Sequence, residues 1–199
     1  MRKLIATVLI ACSMSDLHAQ GFGSDGIGLR TNLLYDAVVV PNVGVEWGVK
    51  DQWTMVANGM YIWWKNDPRH RYWRIASADV ELRRWLGSRY HNYRRQGPHA
   101  GVYVAGYRYD LEFGGDGQMA DFNWGFGGTI GYAVPIARKL SLDFTIGAGY
   151  IGGPYKKYKP IDECYVWQSD RWRWYFGPTK AEITLVWHLE LQGRGGREW

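Results

Sequence analysis

The sequence predicts an all-β fold, an eight-stranded antiparallel up-and-down transmembrane β-barrel, and three observations predict it. Several segments alternate apolar residues with small or polar ones. Because the side chains of a strand alternate between its two faces, each such segment has one apolar face. Aromatic residues make up 16% of the 199 residues, with 12 Trp and 14 Tyr, which suit the two interfaces of a bilayer. After the N-terminal segment, no stretch approaches the run of about 18 apolar residues that indicates a spanning helix.

The N-terminal segment, residues 1–19, is predicted to be a signal peptide. Two basic residues precede the apolar run 4–11, and Ala19 supplies the small residue that a signal peptidase requires. Cleavage is therefore expected before Gln20. A competing interpretation takes residues 9–12, Leu-Ile-Ala-Cys, as a lipobox that leaves a lipid on Cys12. Both interpretations predict an exported protein.

Residues 20–191 are predicted to form the barrel and residues 192–199 a C-terminal tail. In segment 42–49, Val43, Val45, Trp47 and Val49 share one face. Three further segments alternate strongly: 124–134, 140–150 and 180–191. Four are noisier: 28–36, 53–63, 74–85 and 101–113. The total of eight is even, which lets both termini lie on one side of a membrane.

The connections between these strands predict a topology. If the first strand rises from the periplasm, the short connections 50–52 and 135–139 are periplasmic, as in bacterial barrels. The outer loops are then 65–72, 114–122 and 151–176. Two connections fit less well: the outer loop 38–41 is very short, and the periplasmic connection 87–99 is long.

Glycine distinguishes a membrane barrel from a soluble, lipocalin-like one. Gly125, Gly127 and Gly131 share the small face of their segment. An exposed strand face gains nothing from glycine, whereas the interior of a narrow eight-stranded barrel has little room. The apolar faces are therefore expected to contact lipid.

The opposite faces then direct charged residues into the interior. These residues are Arg30, Glu46, Asp79, Glu81, Arg83, Arg108, Asp110, Asp143, Lys180, Glu182 and Glu190. Because an unpaired buried charge costs several kcal/mol, charges of both signs should pair and plug the lumen. The alternative is a narrow ion channel along the same residues.

Catalytic and metal chemistry has weak support. An outer-membrane enzyme acting on lipid or peptide at the outer rim could use His70 with Asp67, or Ser169 with Asp170, but no spacing links them.

A second group, His91 and His99 flanking Arg94 and Arg95, lacks further metal ligands and is expected to be solvated or near lipid headgroups. Neither a cofactor nor a metal is expected. The net charge of +5 is spread along the chain, which argues against a nucleic-acid partner.

Aromatic residues are concentrated in the last outer loop, where they suit a protein partner. They are Tyr155, Tyr158, Tyr165, Trp167, Trp172 and Trp174.

Three blocks carry a resemblance to a known family: TNLLYDAVVVPNVGVEWGV (31–49), WRIASADVELRRWLGSR (73–89) and YFGPTKAEITLVWHL (175–189). They resemble an outer-membrane barrel family of the Bacteroidota filed as domain of unknown function 3575. The resemblance implies an eight-stranded outer-membrane barrel without assigned catalytic residues, often encoded near surface-fimbria genes. Similar proteins often carry a cysteine pair in the last outer loop, where this chain has Cys164 alone.

The sequence thus predicts a non-catalytic protein of the cell outer membrane with a structural or surface-interaction role. Its expected partners are outer-membrane lipid and surface or fimbrial proteins.

Overall fold

The computed structural model describes residues 26–50, 52–66, 71–86, 95–113, 115–161 and 164–189. Eight strands pair antiparallel in chain order, and the last strand pairs with the first to close the barrel. This confirms the predicted all-β, eight-stranded, up-and-down architecture. The predicted signal peptide, the C-terminal tail and Glu190 lie outside the described residues.

One helix and eight strands follow one another along the described chain. They are β1 (Ile27–Asn32), α1 (Leu33–Ala37), β2 (Asn42–Lys50), β3 (Trp53–Asn66), β4 (Arg71–Trp85), β5 (Gly97–Phe113), β6 (Asp116–Ala137), β7 (Leu140–Ile161) and β8 (Cys164–Leu189). We call the end where β1 starts and β8 finishes the terminal end. The opposite end, with the β3–β4, β5–β6 and β7–β8 connections, is the hairpin end.

The first predicted strand, 28–36, is wrong at its C-terminal end because β1 stops at Asn32 and α1 follows. The Asn32 side chain accepts a hydrogen bond from the Leu34 N–H at 3.0 Å, which caps the helix. The Asn42 amide donates to the Asp36 carboxylate at 2.8 Å and holds the far end of the turn. None of the helices among the described residues is long and apolar enough to span a membrane.

Two predicted loops are strands instead. Most of 114–122 belongs to β6, and nearly all of 151–176 belongs to β7 and β8, which pair as far as Ile161 and Cys164. Antiparallel pairing continues wherever backbone groups on both strands find partners, even where the side-chain alternation is irregular. We call residues 151–161 and 164–176 the β7–β8 projection.

The wall of the barrel is uneven at the hairpin end. The pairing of β1 with β8 stops at the pair Asn32–Thr184, and β2 begins opposite Met60. Strands β3 to β8 continue further, so the wall is low along β1 and β2 and tall elsewhere.

The two faces of the barrel differ in polarity. Ile130, Ile146, Val102 and Val104 point outward and are each more than 60% exposed, whereas charged residues at inward positions are buried. Inward glycines leave room for large groups. A side chain on Gly131 would overlap the His99 ring, and one on Gly101 would overlap the Glu81 carboxylate.

Candidate functional site

The interior of the barrel contains a network of buried ion pairs centred on Asp143 of β7. Its Oδ2 accepts from Arg30 Nη2 at 2.9 Å and from Arg83 Nη1 at 2.6 Å. Arg30 also donates to Glu46 at 2.6 Å. The side chains of all four residues are at most 2% exposed, so strands β1, β2, β4 and β7 are joined across the lumen by charge-assisted hydrogen bonds.

A second part of the network lies towards the hairpin end. Arg83 Nε donates to Glu81 at 2.7 Å, and Lys180 Nζ donates to Glu81 at 2.8 Å and to Asp79 at 2.9 Å. Glu182 lies 3.5 Å from the same ammonium group. The Thr129 hydroxyl completes the Glu81 site with a bond of 2.7 Å. Lys180 therefore ties β8 to β4 across the interior.

Sequence reasoning missed two members of the network. His99 Nε2 lies 2.8 Å from Asp143 Oδ1, and Arg95 donates to the carbonyls of Gly26 and Glu46 at 3.2 and 3.4 Å. Both side chains are buried, so their predicted location in a solvated turn is wrong. The predicted strand begins at residue 101, whereas β5 begins at Gly97, so His99 belongs to the strand and lies on its inward face. His91 and Arg94 lie outside the described residues.

Two predicted lumen residues, Arg108 and Asp110, lie on the outward parity of β5, because they pair with Ala76 and Arg74 on the outward parity of β4. Arg108 is exposed, and its neighbour Tyr109 is buried instead. Pairing with β4 sets Tyr103 opposite Glu81, so the odd residues of this part of β5 face inward and Arg108 faces outward. The two inward tyrosines are accommodated differently. The Tyr103 hydroxyl donates to Thr179, whereas the Tyr109 ring lies under the Arg173 guanidinium at 5.0 Å.

Asp110 lies near the hairpin end, apart from the central network. It accepts from Tyr158 at 2.6 Å and from Arg74 at 3.2 Å. These bonds link β5 to β7 and β4.

A small polar cavity of about 30 Å³ lies above the network, beneath α1. Its lining includes Tyr35, Asn58, Asp79 and Glu182. Burial, together with the nearby carboxylates of Glu182 and Asp79, raises the pKa of Tyr35 above its ordinary value. The phenol, which is protonated at neutral pH even at its ordinary pKa, can donate within the cavity.

The predicted partner-binding aromatic residues lie on the β7–β8 projection but differ in environment. Tyr158 is buried, and Tyr155 lies under the Arg173 guanidinium at 5.3 Å. Trp167, Trp172 and Trp174 are exposed, the last at 77%. The side chains of Tyr165 and Cys164 lie outside the described residues. The five described residues therefore do not form one cluster.

Of the catalytic candidates, Ser169 and Asp170 lie on β8, while His70 and Asp67 lie outside the described residues. A serine–histidine contact that the sequence did not suggest lies at the terminal end, where Ser141 Oγ is 2.6 Å from His188 Nε2. Ser141 is 2% exposed. Among the described residues, no group of three or more His, Cys, Asp or Glu side chains could hold a metal ion.

The fold and the interior define the class of this protein as a closed eight-stranded antiparallel β-barrel with a network of ion pairs in its interior. A family profile described as a protein of unknown function, DUF3575, matches residues 4–189. The chain belongs to this family. No curated protein and no solved structure gave a match.

Proposed function

We propose that this chain is an outer-membrane β-barrel protein with a plugged polar lumen, exported through its N-terminal signal peptide. Its proposed role is structural or interactive, not catalytic, and the β7–β8 projection is displayed at the cell surface. Surface or fimbrial proteins are the proposed protein partners, and outer-membrane lipid surrounds the barrel.

The observation that carries this proposal is the inverted polarity of the barrel. Ile146 is 62% exposed on the outward face, whereas Glu81 and Arg83 are 0% exposed inside. Soluble monomers rarely expose a continuous apolar surface of more than a few hundred Å². A belt of apolar residues around the barrel is instead typical of outer-membrane barrels, in which lipid covers the outside and polar groups fill the inside.

Aromatic and basic residues at both ends of this belt support a bilayer position. At the terminal end, the Arg84 guanidinium lies 5.7 Å from the ring of Trp53. At the hairpin end, Arg74 lies 4.5 Å from the ring of Trp63. Such pairs combine an apolar ring with a group that prefers water or phosphate, which is the chemistry of a membrane interface.

The ion-pair network supports a plugged lumen in preference to a channel. Arg30, Arg83 and Lys180 each contact two or more carboxylates from other positions of the wall. An ion crossing the lumen would have to separate these pairs in a poorly solvated space, and each broken pair costs several kcal/mol.

Fractionation and gel mobility test the membrane assignment. The protein should be recovered in the outer-membrane fraction, and unheated samples should migrate faster than boiled ones, because a closed barrel retains its hydrogen bonds in detergent. Recovery from the periplasm as a soluble protein would contradict the proposal.

Neighbouring cysteines test which face contacts lipid. In a Cys164→Ser background, Ile146→Cys should react with a lipid-soluble maleimide in bilayers, whereas Thr145→Cys should not. The two positions are adjacent on β7 and differ only in the face on which they lie. Labelling of Thr145→Cys and not of Ile146→Cys would contradict the proposal, because it would show that the face carrying Thr145 contacts lipid.

A pull-down from intact cells tests the interactive role. Replacing residues 154–172 by an Asn-Gly turn shortens the β7–β8 projection and keeps the pair Gly153–Arg173 beside the turn. The shortened protein should stay in the outer membrane and lose its surface partners. Equal recovery of partners by both forms would place the interaction elsewhere.

A further inference from the structure

Strand β8 has one open edge over much of the projection. It pairs with β7 from Cys164 to Trp187, but with β1 only from Thr184 to Leu189. The helix α1 follows β1 and contacts β8, and its Tyr35 lines one cavity with Glu182 and Thr184 of β8. Beyond the helix, no described residue pairs with the other edge of residues 169–177, which stay in continuous register with β7. At about 3.3 Å per residue, this edge is roughly 30 Å long.

The direction of the backbone groups on this edge follows from β8 itself. The His188 N–H donates towards β7, to the Lys139 carbonyl, while its imidazole contacts inward Ser141. In a strand of fixed direction, residues of one face direct their N–H and C=O groups to the same side. Strand β4 runs the same way, and inward Trp85 likewise donates to the preceding strand, at Gln52. Outward residues of β8 therefore direct their N–H and C=O groups away from β7.

In the projection, the outward residues are the aromatic ones. Trp174 contacts Tyr150, which packs on outward Phe126, whereas Arg173 lies over the ring of buried Tyr109. A register shift opposite Gly147 and Ala148 separates this alternation from that of residues 180–188, where the even residues face inward. The open edge is thus formed by the backbone of Trp172, Trp174 and Phe176.

This edge lacks two of the devices that usually protect one, proline and a covering element among the described residues. Natural edges also use bulges and inward-pointing charges, and here register shifts lie only at the two ends of residues 169–177, while the inward charges Arg171 and Arg173 are both positive. Residues 162–176 contain no proline and are rich in aromatic residues, which favour strands. Trp174 and Phe176 are 77% and 84% exposed.

We propose that the open edge of β8 binds an extended segment of a partner protein by β-strand addition, and that this segment alternates apolar and acidic residues. Main-chain groups would supply the hydrogen bonds, as in other β-augmentation complexes. Apolar side chains of the added strand would lie beside Trp172 and Trp174, and acidic ones beside Arg171 and Arg173. The inference rests on the proposed function, because the edge must be displayed at the cell surface.

A second copy of this chain in the same membrane does not suit the edge. Two copies inserted in the same direction have parallel β8 strands, so their edges cannot form a two-fold antiparallel pair. A symmetric pair of inverted copies centred on any of residues 171–173 would set an arginine against an arginine, which is unfavourable. The occupant is therefore a different polypeptide.

A synthetic peptide tests the proposal with the full chain folded in detergent micelles. The probe is a fluorescein-labelled nonapeptide of alternating valine and glutamate, followed by fluorescence anisotropy. It should bind, a peptide with lysine in place of glutamate should bind at least tenfold more weakly, and one with proline at alternate positions should not bind. Equal binding of the glutamate and lysine peptides would overturn the proposed chemistry of the partner.

Two substitutions at one position isolate the backbone donor. Trp172→Ala and Trp172→Pro both remove the indole, but only proline removes the N–H at the open edge, and the pairing of Arg171 and Arg173 with β7 remains. The proline variant should bind the glutamate peptide at least fivefold more weakly than the alanine variant. Equal affinities would refute strand addition at this edge.

The failure of this inference can be separated from that of the proposed function. If no peptide binds while the protein remains in the outer membrane and migrates faster unheated, the edge proposal fails and the membrane barrel stands. Cross-linking between cysteines placed at residue 172 of two copies in one bilayer would also overturn it, because the edge would then pair with a second copy.

Discussion

Removing one charge at the centre of the interior, by Asp143→Asn, should destabilise the barrel strongly. The carboxylate accepts four hydrogen bonds, from Arg30, Arg83, His99 and Thr145. Asparagine keeps the volume but offers one accepting oxygen and one donating NH₂ group. If the oxygen faces the two guanidinium groups, the NH₂ group faces His99 and Thr145.

The magnitude follows from these contacts. The imidazole can accept from the new amide only as its other tautomer, whose proton would sit on Nδ1, a buried atom without a partner among the described residues. Both arginines also lose a charged acceptor, although each keeps one glutamate. Breaking a buried ion pair costs about 3–5 kcal/mol, so we expect a loss of that size in the free energy of unfolding.

Urea unfolding in lipid vesicles, followed by tryptophan fluorescence, measures this loss. The matched control is Thr145→Val, which removes one hydroxyl whose bond to Asp143 is 3.3 Å long, and which should cost about 1 kcal/mol or less. If Asp143→Asn costs no more than the control, the ion pairs do not hold the interior together and the reasoning is refuted.

Three further predictions follow from the faces of the strands and from the signal segment. Phe144→Arg should lower the free energy of unfolding in vesicles by about 2–4 kcal/mol, because the side chain faces the bilayer, and a change below about 1 kcal/mol would contradict this. Arg108→Gln, on the outward face, should change that energy by no more than about 0.5 kcal/mol. Arg83→Gln should lower the free energy of unfolding by about 3–5 kcal/mol. If Arg108→Gln lowers it equally, Arg108 belongs to the network. Mass spectrometry should find Gln20 at the N-terminus of the mature protein; a lipid on Cys12 would show that the other peptidase acts.

The number of strands could be predicted from alternation, and their up-and-down order from the lengths of the connections between them. In 140–150, the sequence separates Phe144 and Ile146 from Asp143 and Thr145, and the structure keeps this division. Period-two alternation is a local property of a strand, so it is visible without any knowledge of neighbouring strands. The same property placed most of the charged residues of the network on the inward face.

The ends of the strands could not be predicted in the same way. Alternation is interrupted where the register shifts, opposite Gly147 and Ala148 and between Met119 and Trp124. Beyond these points the chain stays in strands because its backbone groups are paired across the hairpin, a long-range condition that leaves little trace in the side chains. The helix α1, in contrast, depends on a cap and on the Asn42 amide, which bonds Asp36 six residues earlier.

The order of apolar and polar residues along the chain was enough to show that each strand has one apolar face, and that there are eight such strands for a barrel. Which face of an ambiguous strand lies inside depends on how the strands pair. Arg108 and Tyr109 illustrate this, because their sides follow from the pairing of Tyr103 with Glu81 on β4. The burial of His99 beside Asp143 and the open edge of β8 have the same origin. Each depends on where distant strands begin, end and pair, and a one-residue change in register reverses every side chain.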